Sequence, residues 1–243
     1  MIACPCPVCT SPDPRDKRTR ASLYIQTPEC AFVIDTGPDF RTQCLRENVT
    51  RVNAVVFTHA HTDHIMGFDD LRRFCDLQPD NTMPIHAAAH TMADIQRVFK
   101  FAFDGTAKFP GYIQPEAHLI EGPFRLGETT ITPLPVPHGR ILVNGYLFER
   151  GGRPLFAYLS DCKLIPPEVR AQITGVRSLC LDALRHRLHP THMNLDEALE
   201  AVAAIGPGEA WLTHLCHDLG HAETEALLPP GVHVAYDGLQ LHL

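Results

Sequence analysis

The chain has 243 residues, 44% of them apolar, and a formal net charge of −7; this excludes a disordered tail and argues against holding duplex nucleic acid over a broad basic face. No run approaches 18 consecutive apolar residues, and residues 1–10 carry neither a basic leader nor a long apolar core, so no membrane span or signal peptide is expected and the chain reads as cytoplasmic. Nine cysteines in an intracellular chain of this length suggest a metal cluster and buried thiols in place of a disulfide framework, and fifteen histidines make their placement the main question.

In chain order, Cys4, Cys6 and Cys9 come first, with a spacing that allows three thiolates on one tetrahedral zinc and a fourth ligand from elsewhere. A charged run at 13–20 follows; such runs are usually solvated, though this one could approach a substrate. Residues 21–26 and 31–35 read as short strands, the second ending in the turn Asp35-Thr36-Gly37-Pro38, and 40–48 suit a helix. Residues 52–57 read as a buried strand that stops at Thr58-His59. Over 90–103, Met92, Ile95, Phe99 and Phe103 share one helical face, and the Gly/Pro loop 104–115 is long enough to form a lid or rim.

In the second half, strands are expected at 129–139, 141–149 and 153–161, then a short helix at 166–173 with proline at its start, and a strand at 177–183. Asn194 stands three residues before Glu197 as an N-cap, Leu195, Ala198, Leu199 and Val202 give the helix its apolar face, and Gly206 ends it. A strand at 209–214, a helix at 220–228 and a strand at 232–238 complete the chain. Strands and helices mix throughout and no linker or repeat divides them, so the reading is a single α/β domain, 1–243, on two packed sheets.

Five apolar runs end in a residue able to bind metal: His59, His138, Asp161, Asp182 and His214. Strand ends on one sheet edge converge in space, where α/β proteins assemble sites from distant sequence. The densest motif is Thr58-His59-Ala60-His61-Thr62-Asp63-His64, four potential ligands in six positions. Two histidines at i and i+2 reach one metal, while Asp63 and His64, entering the next turn, point at a second. Nitrogen and carboxylate donors without thiolate suit Zn, Mn or Fe.

This motif, continued in order by His138, Asp161 and His214, resembles the H-x-H-x-D-H signature of the metallo-β-lactamase superfamily. The resemblance implies a four-layer αββα sandwich. It implies that His59, His61 and His138 hold one divalent ion (Zn or Mn), that Asp63, His64 and His214 hold a second, and that Asp161 bridges them. A hydroxide shared by the two ions would be the nucleophile, with Asp63 counted among the catalytic residues. Asp35 would orient a ligand histidine.

The cysteine trio and the Ser-Pro-Asp-Pro-Arg run resemble the PhnP-type phosphodiesterases. There the trio binds a structural zinc, which places the N-terminal segment 1–20 in a zinc site with His217 as fourth ligand and Cys216 as a competitor. The same resemblance makes His192, just before the N-cap of its helix, the general acid. Arg185, Arg187 and His189 lie close enough in sequence to help receive a phosphate, although Arg185 is equally suited to pair with Asp182. The implied function is hydrolysis of small, cyclic ribose or nucleotide phosphodiesters by a homodimer, without duplex nucleic acid or membrane partners. A noncatalytic cofactor carrier or binding protein on the same fold is the alternative. Family members commonly place a strand before the trio, whereas here only Met1-Ile2-Ala3 precede it.

Overall fold

Short β-branched and aromatic runs punctuated by Pro, Gly and Asn set the strands, and the computed structural model describes residues 1–105, 109 and 111–243. The expected lid or rim at 104–115 therefore lies partly outside the described residues. The chain divides into two compact units, one of Arg20–Glu128 and one of Met1–Thr19 with Thr129–Leu243.

In the first unit β1 (Leu23–Gln26) pairs antiparallel with β2 (Ala31–Ile34), and β3 (Ala54–Val56), β4 (Met83–Ala87) and β5 (Pro115–Leu119) follow in parallel. Among the described residues five α-helices accompany them: α1 (Phe40–Arg46), α2 (Thr62–Ile65), α3 (Arg72–Cys75), α4 (Ala89–Val98) and α5 (Lys100–Phe103). Val33, Val55, Phe57 and Ile85 pack with Phe40, Ile65, Met92 and Ile95 from the helical side. Alternate residues Phe32, Ile34 and Val56 are fully buried as well, the continuous apolar pattern of a sheet shielded on both faces.

The helix expected over 90–103 forms as two, because Phe99 leaves helical geometry at φ −105°, ψ 41° and stacks on Phe68 at 4.6 Å between ring centroids. Strands β4, β5 and the three-residue β6 (Phe124–Leu126) were not foreseen. Pro84 and the weak strand formers Glu116 and Ala117 hide them.

In the second unit β7 (Thr129–His138), β8 (Ile141–Arg150) and β9 (Arg153–Leu159) form an antiparallel meander. The parallel strands β10 (Ser178–Asp182), β11 (Glu209–Thr213) and β12 (Val232–Val234) extend the sheet in the order β9, β10, β11, β12. Helices α6 (Pro167–Ile173), α7 (Leu195–Ile205) and α8 (His221–Leu227) complete it. The N-terminus of α7 is a reciprocal capping box: the Asn194 side chain accepts from Glu197 N, and the Glu197 carboxylate accepts from Asn194 N. Leu195, Ala198 and Val202 then bury against Leu179, Leu181 and Leu212, each large side chain contributing about 1.5–3 kcal/mol. Because β9, β10 and β11 run parallel, the residues that follow or end them, Asp161, Asp182 and His214, emerge on one edge.

The charged run at 13–20 departs from the solvated segment expected. Arg18 donates to Cys216 O at 3.1 Å, Asp16 accepts from His221 N at 2.8 Å, and Asp237 accepts from Thr19 N at 3.1 Å. The side chains of Arg18 and Asp16 are 13% and 7% exposed, so these charges anchor residues 16–19 to the loop after β11, the start of α8 and the turn after β12. Among the described residues no helix is long and apolar enough to cross a membrane.

Candidate metal centres

In the first unit the signature histidines are oriented by one buried acid. Asp35 sits at φ 61° directly after β2 and is fully buried. Its carboxylate accepts from Thr58 N at 2.8 Å, from Thr58 Oγ1 at 2.7 Å and from His64 Nδ1 at 2.7 Å. Since the Thr58 hydroxyl spends its proton on Asp35, it accepts from His59 Nδ1 at 2.9 Å. Both rings thus have Nδ1–H committed, and Nε2 offers a lone pair. His61 Nδ1 stands 2.9 Å from His59 Nε2, and Asp63 Oδ2 stands 3.9 Å from His64 Nε2 and 3.7 Å from the Arg20 guanidinium.

The loop is pinned by close backbone contact. Thr36 N donates to His64 O, Gly67 N donates to Thr36 O, and a Cβ on Gly37 would lie 2.3 Å from Asp63 O. Only glycine fits there. The left-handed Asp35 and the glycine contact are the local strain that holds the motif in place.

In the second unit three imidazoles converge on one carboxylate. His138, His192 and His214 place Nε2 at 3.9, 3.9 and 3.6 Å from Asp161 Oδ2. These separations are long for hydrogen bonds but close to the roughly 3.4 Å expected between tetrahedral ligands about 2.1 Å from one ion. His138 donates Nδ1–H to Thr191 O at 2.9 Å, and His192 donates Nδ1–H to Asp182 Oδ2 at 2.7 Å. Asp182 also accepts from Cys162 N at 3.0 Å, and burial pushes its carboxyl well above the usual range. His214 adopts φ 59°, a second non-glycine residue held in the left-handed region at the end of a strand.

Fixing Nδ1–H and presenting Nε2 is how proteins prepare histidines for a metal, and His59, His64 and His138 show it, while His192 shares only the commitment of Nδ1–H. The donor sets therefore fit divalent metal ions. Arg185 does not pair with Asp182 as one reading of the sequence had it: its guanidinium donates to the carbonyls of Arg187 and Leu188. Arg187 meets Asp218 at 3.4 Å with 77% of its side chain exposed.

Cys4, Cys6, Cys9 and His217 bring their ligand atoms within 4.8 Å of one another, and His217 Nδ1 is 3.4 Å from both Cys4 and Cys6 Sγ. The Cys9 backbone N–H and then His217 pull the Cys6 thiol down to about 6, which favours the thiolate a metal needs. Cys216, the competing candidate, instead accepts from Asp218 N at 3.4 Å, and burial raises its thiol. Sequence reasoning missed the roles of Thr58 and Thr191. Both stand beside named histidines, but neither hydrogen bond follows from spacing.

Asp35→Asn keeps the size of the side chain and removes the charge that fixes His64 and Thr58. A chelator titration should show metal held 10–100-fold more weakly, the usual cost of losing such a partner.

The fold and the two His/Asp sets define a protein of the metallo-β-lactamase class, and residues 31–215 match the beta-lactamase superfamily domain. The crystal structure of a diphosphatase from the PhnP family is 37% identical to this chain, with a TM-score of 0.89, covering 100% of this chain and 91% of that one. The chain belongs to the PhnP family of the beta-lactamase superfamily. An octanoyltransferase of Porphyromonas gingivalis is 35% identical over 98% of this chain and 48% of its own length. A ribonuclease Z of Bradyrhizobium diazoefficiens is 28% identical over 58% of this chain and 47% of its own. The chain thus spans about half the length of these two curated relatives.

Proposed function

We propose that the protein is a metal-dependent phosphoric ester hydrolase that cleaves a small phosphodiester or diphosphate, with the two His/Asp sets serving one dinuclear centre and Asp161 shared between the ions. Family membership and the order of the seven ligands support this reading. Divalent ions there would polarise the phosphoryl oxygens and activate the attacking water. Cys4, Cys6, Cys9 and His217 would hold a separate structural zinc. Acyl transfer, named for the Porphyromonas protein, is not assigned to this chain, which matches 48% of that protein.

The observation that carries the proposal is the Asp182–His192 pair. Asp182 accepts His192 Nδ1–H, which leaves Nε2, 3.9 Å from the Asp161 carboxylate, as the atom that would carry the proton. Water adds to phosphorus, the bond to the leaving oxygen breaks, and the His192 proton passes to that oxygen. A diester gives an alcohol and a phosphate monoester, a diphosphate gives two phosphates, and the proton lost by water restores the imidazolium.

Positioned proton transfer contributes about 10²–10⁴ in rate, and most where the leaving oxygen is basic. His192→Ala should therefore slow a cyclic ribose phosphate or cyclic nucleotide by that factor while sparing an activated nitrophenyl diester, with metal content unchanged. An equal fall on both substrates, or loss of metal, would make His192 a ligand and not the acid. Absence of turnover by the metal-loaded wild type on every phosphodiester and diphosphate tried would end the proposal.

A further inference from the structure

We propose that His189 is a substrate-binding residue that donates its Nε2–H to a phosphoryl oxygen not being expelled, an inference that rests on the phosphoester reading above. Thr191 presents two groups to the Nδ1 atom of His189, its backbone N–H at 3.3 Å and its hydroxyl at 3.2 Å. A backbone N–H can only donate, so Nδ1 is the acceptor and the ring proton resides on Nε2. That is the reverse of His192, whose Nδ1–H is committed to Asp182. The two rings lie 5.1 Å apart between centroids, so of two neighbouring histidines in one loop one accepts at Nδ1 and the other donates there.

The position of His189 is tied to the ligand cluster by the same residue that sets its tautomer. The Thr191 carbonyl accepts from His138 Nδ1 at 2.9 Å, while its N–H and hydroxyl face His189. A Cβ on Gly139, at φ +67°, would lie 2.7 Å from Thr191 Cγ2, so the β7–β8 turn packs tightly against this residue. Among the described residues none accepts from His189 Nε2, which leaves it an uncommitted donor in this loop.

The surroundings favour an anion. Partial burial first, then His192, Arg185, His138 and Lys163, hold the ring below the usual imidazole range. Lys163 is itself bound to Glu197 at 2.6 and 2.7 Å, and Arg185 donates to two carbonyls, so each has part of its donor capacity already in use. A phosphoryl oxygen matches this combination of positive surroundings and one free N–H. The roles divide accordingly: His192 moves a proton and His189 holds an oxygen.

Two readouts test this on the metal-loaded protein. First, kcat/KM is measured for wild type, His189→Ala and His189→Gln on a nitrophenyl phosphodiester and on a cyclic ribose phosphate, with inorganic phosphate as inhibitor. His189→Ala should lose about 10–100-fold, as expected for one hydrogen bond to a charged group, and by the same factor on both substrates. Phosphate inhibition should weaken in parallel, and glutamine, whose amide N–H reaches the place of the ring Nε2–H, should restore most of the loss at unchanged metal content.

Second, ¹⁵N correlation spectra of the histidine rings should assign the Nε2–H tautomer to His189, with its Nε2 resonance moving as inorganic phosphate is added. Wild-type kinetics in His189→Ala, a loss confined to the basic leaving group, or an Nδ1–H tautomer would each overturn the assignment. If the wild type hydrolyses neither substrate, the phosphoester reading fails, while the tautomer and the phosphate titration still decide whether His189 binds the anion.

Discussion

Asp63→Ala and His61→Ala should each abolish phosphoester hydrolysis and lower the metal held per chain. Metal stabilisation of transition-state charge is worth several kcal/mol; losing about 4 kcal/mol slows turnover about 10³-fold. Metal content and turnover must be read together. A variant that keeps its metal and loses only rate would implicate the carboxylate in positioning water, whereas undiminished turnover in both variants, with trace metals controlled, would refute the dinuclear assignment. Arg20, 3.7 Å from Asp63 Oδ2, is 57% exposed on its side chain, so its loss should matter far less than that of Asp63.

Replacing Cys4, Cys6 and Cys9 together by serine should remove one zinc per chain and produce the largest loss of stability. Structural zinc is worth about 10–16 kcal/mol in isolated finger peptides. Even about 3 kcal/mol would lower Tm by roughly 6–12 °C in a chain of this size. Calorimetry and metal analysis check both. Turnover should survive at temperatures where the variant is folded, which separates this site from the His/Asp sets. Unchanged zinc stoichiometry in fully loaded protein would sink the assignment.

Much of the site was legible because its residues close off apolar runs. His138 ends β7, Asp182 ends β10, and His214 follows β11 directly, and a single sequence displays such punctuation. Asn194 and Glu197 were equally plain, since a capping box is a local pattern three residues wide. What stayed hidden was set by distance or by shared use. Nothing in the run 13–20 signals that Arg18 will meet Cys216, 198 residues on. Thr58 and Thr191 look like ordinary neighbours of histidines until the direction of each hydrogen bond assigns a tautomer. Phe99 fits a continuous helix by periodicity, and only its stacking on Phe68 breaks the helix there.

The anchoring of residues 16–19 to Cys216, His221 and Asp237 has a consequence for how the protein is made. Cys4 and its partner His217 are separated by 213 positions, so at about 5–20 residues per second the thiols leave the ribosome roughly 10–40 s before the histidine that completes their set. The first unit, Arg20–Glu128, is continuous in sequence and is complete before His217 is made. The second unit, by contrast, draws on Met1–Thr19 together with Thr129–Leu243. The trio is then a group of unprotected sulfurs, exposed to oxidation and to stray metals. A set that joins Cys4 to His217 therefore comes together only after 213 further positions have been made.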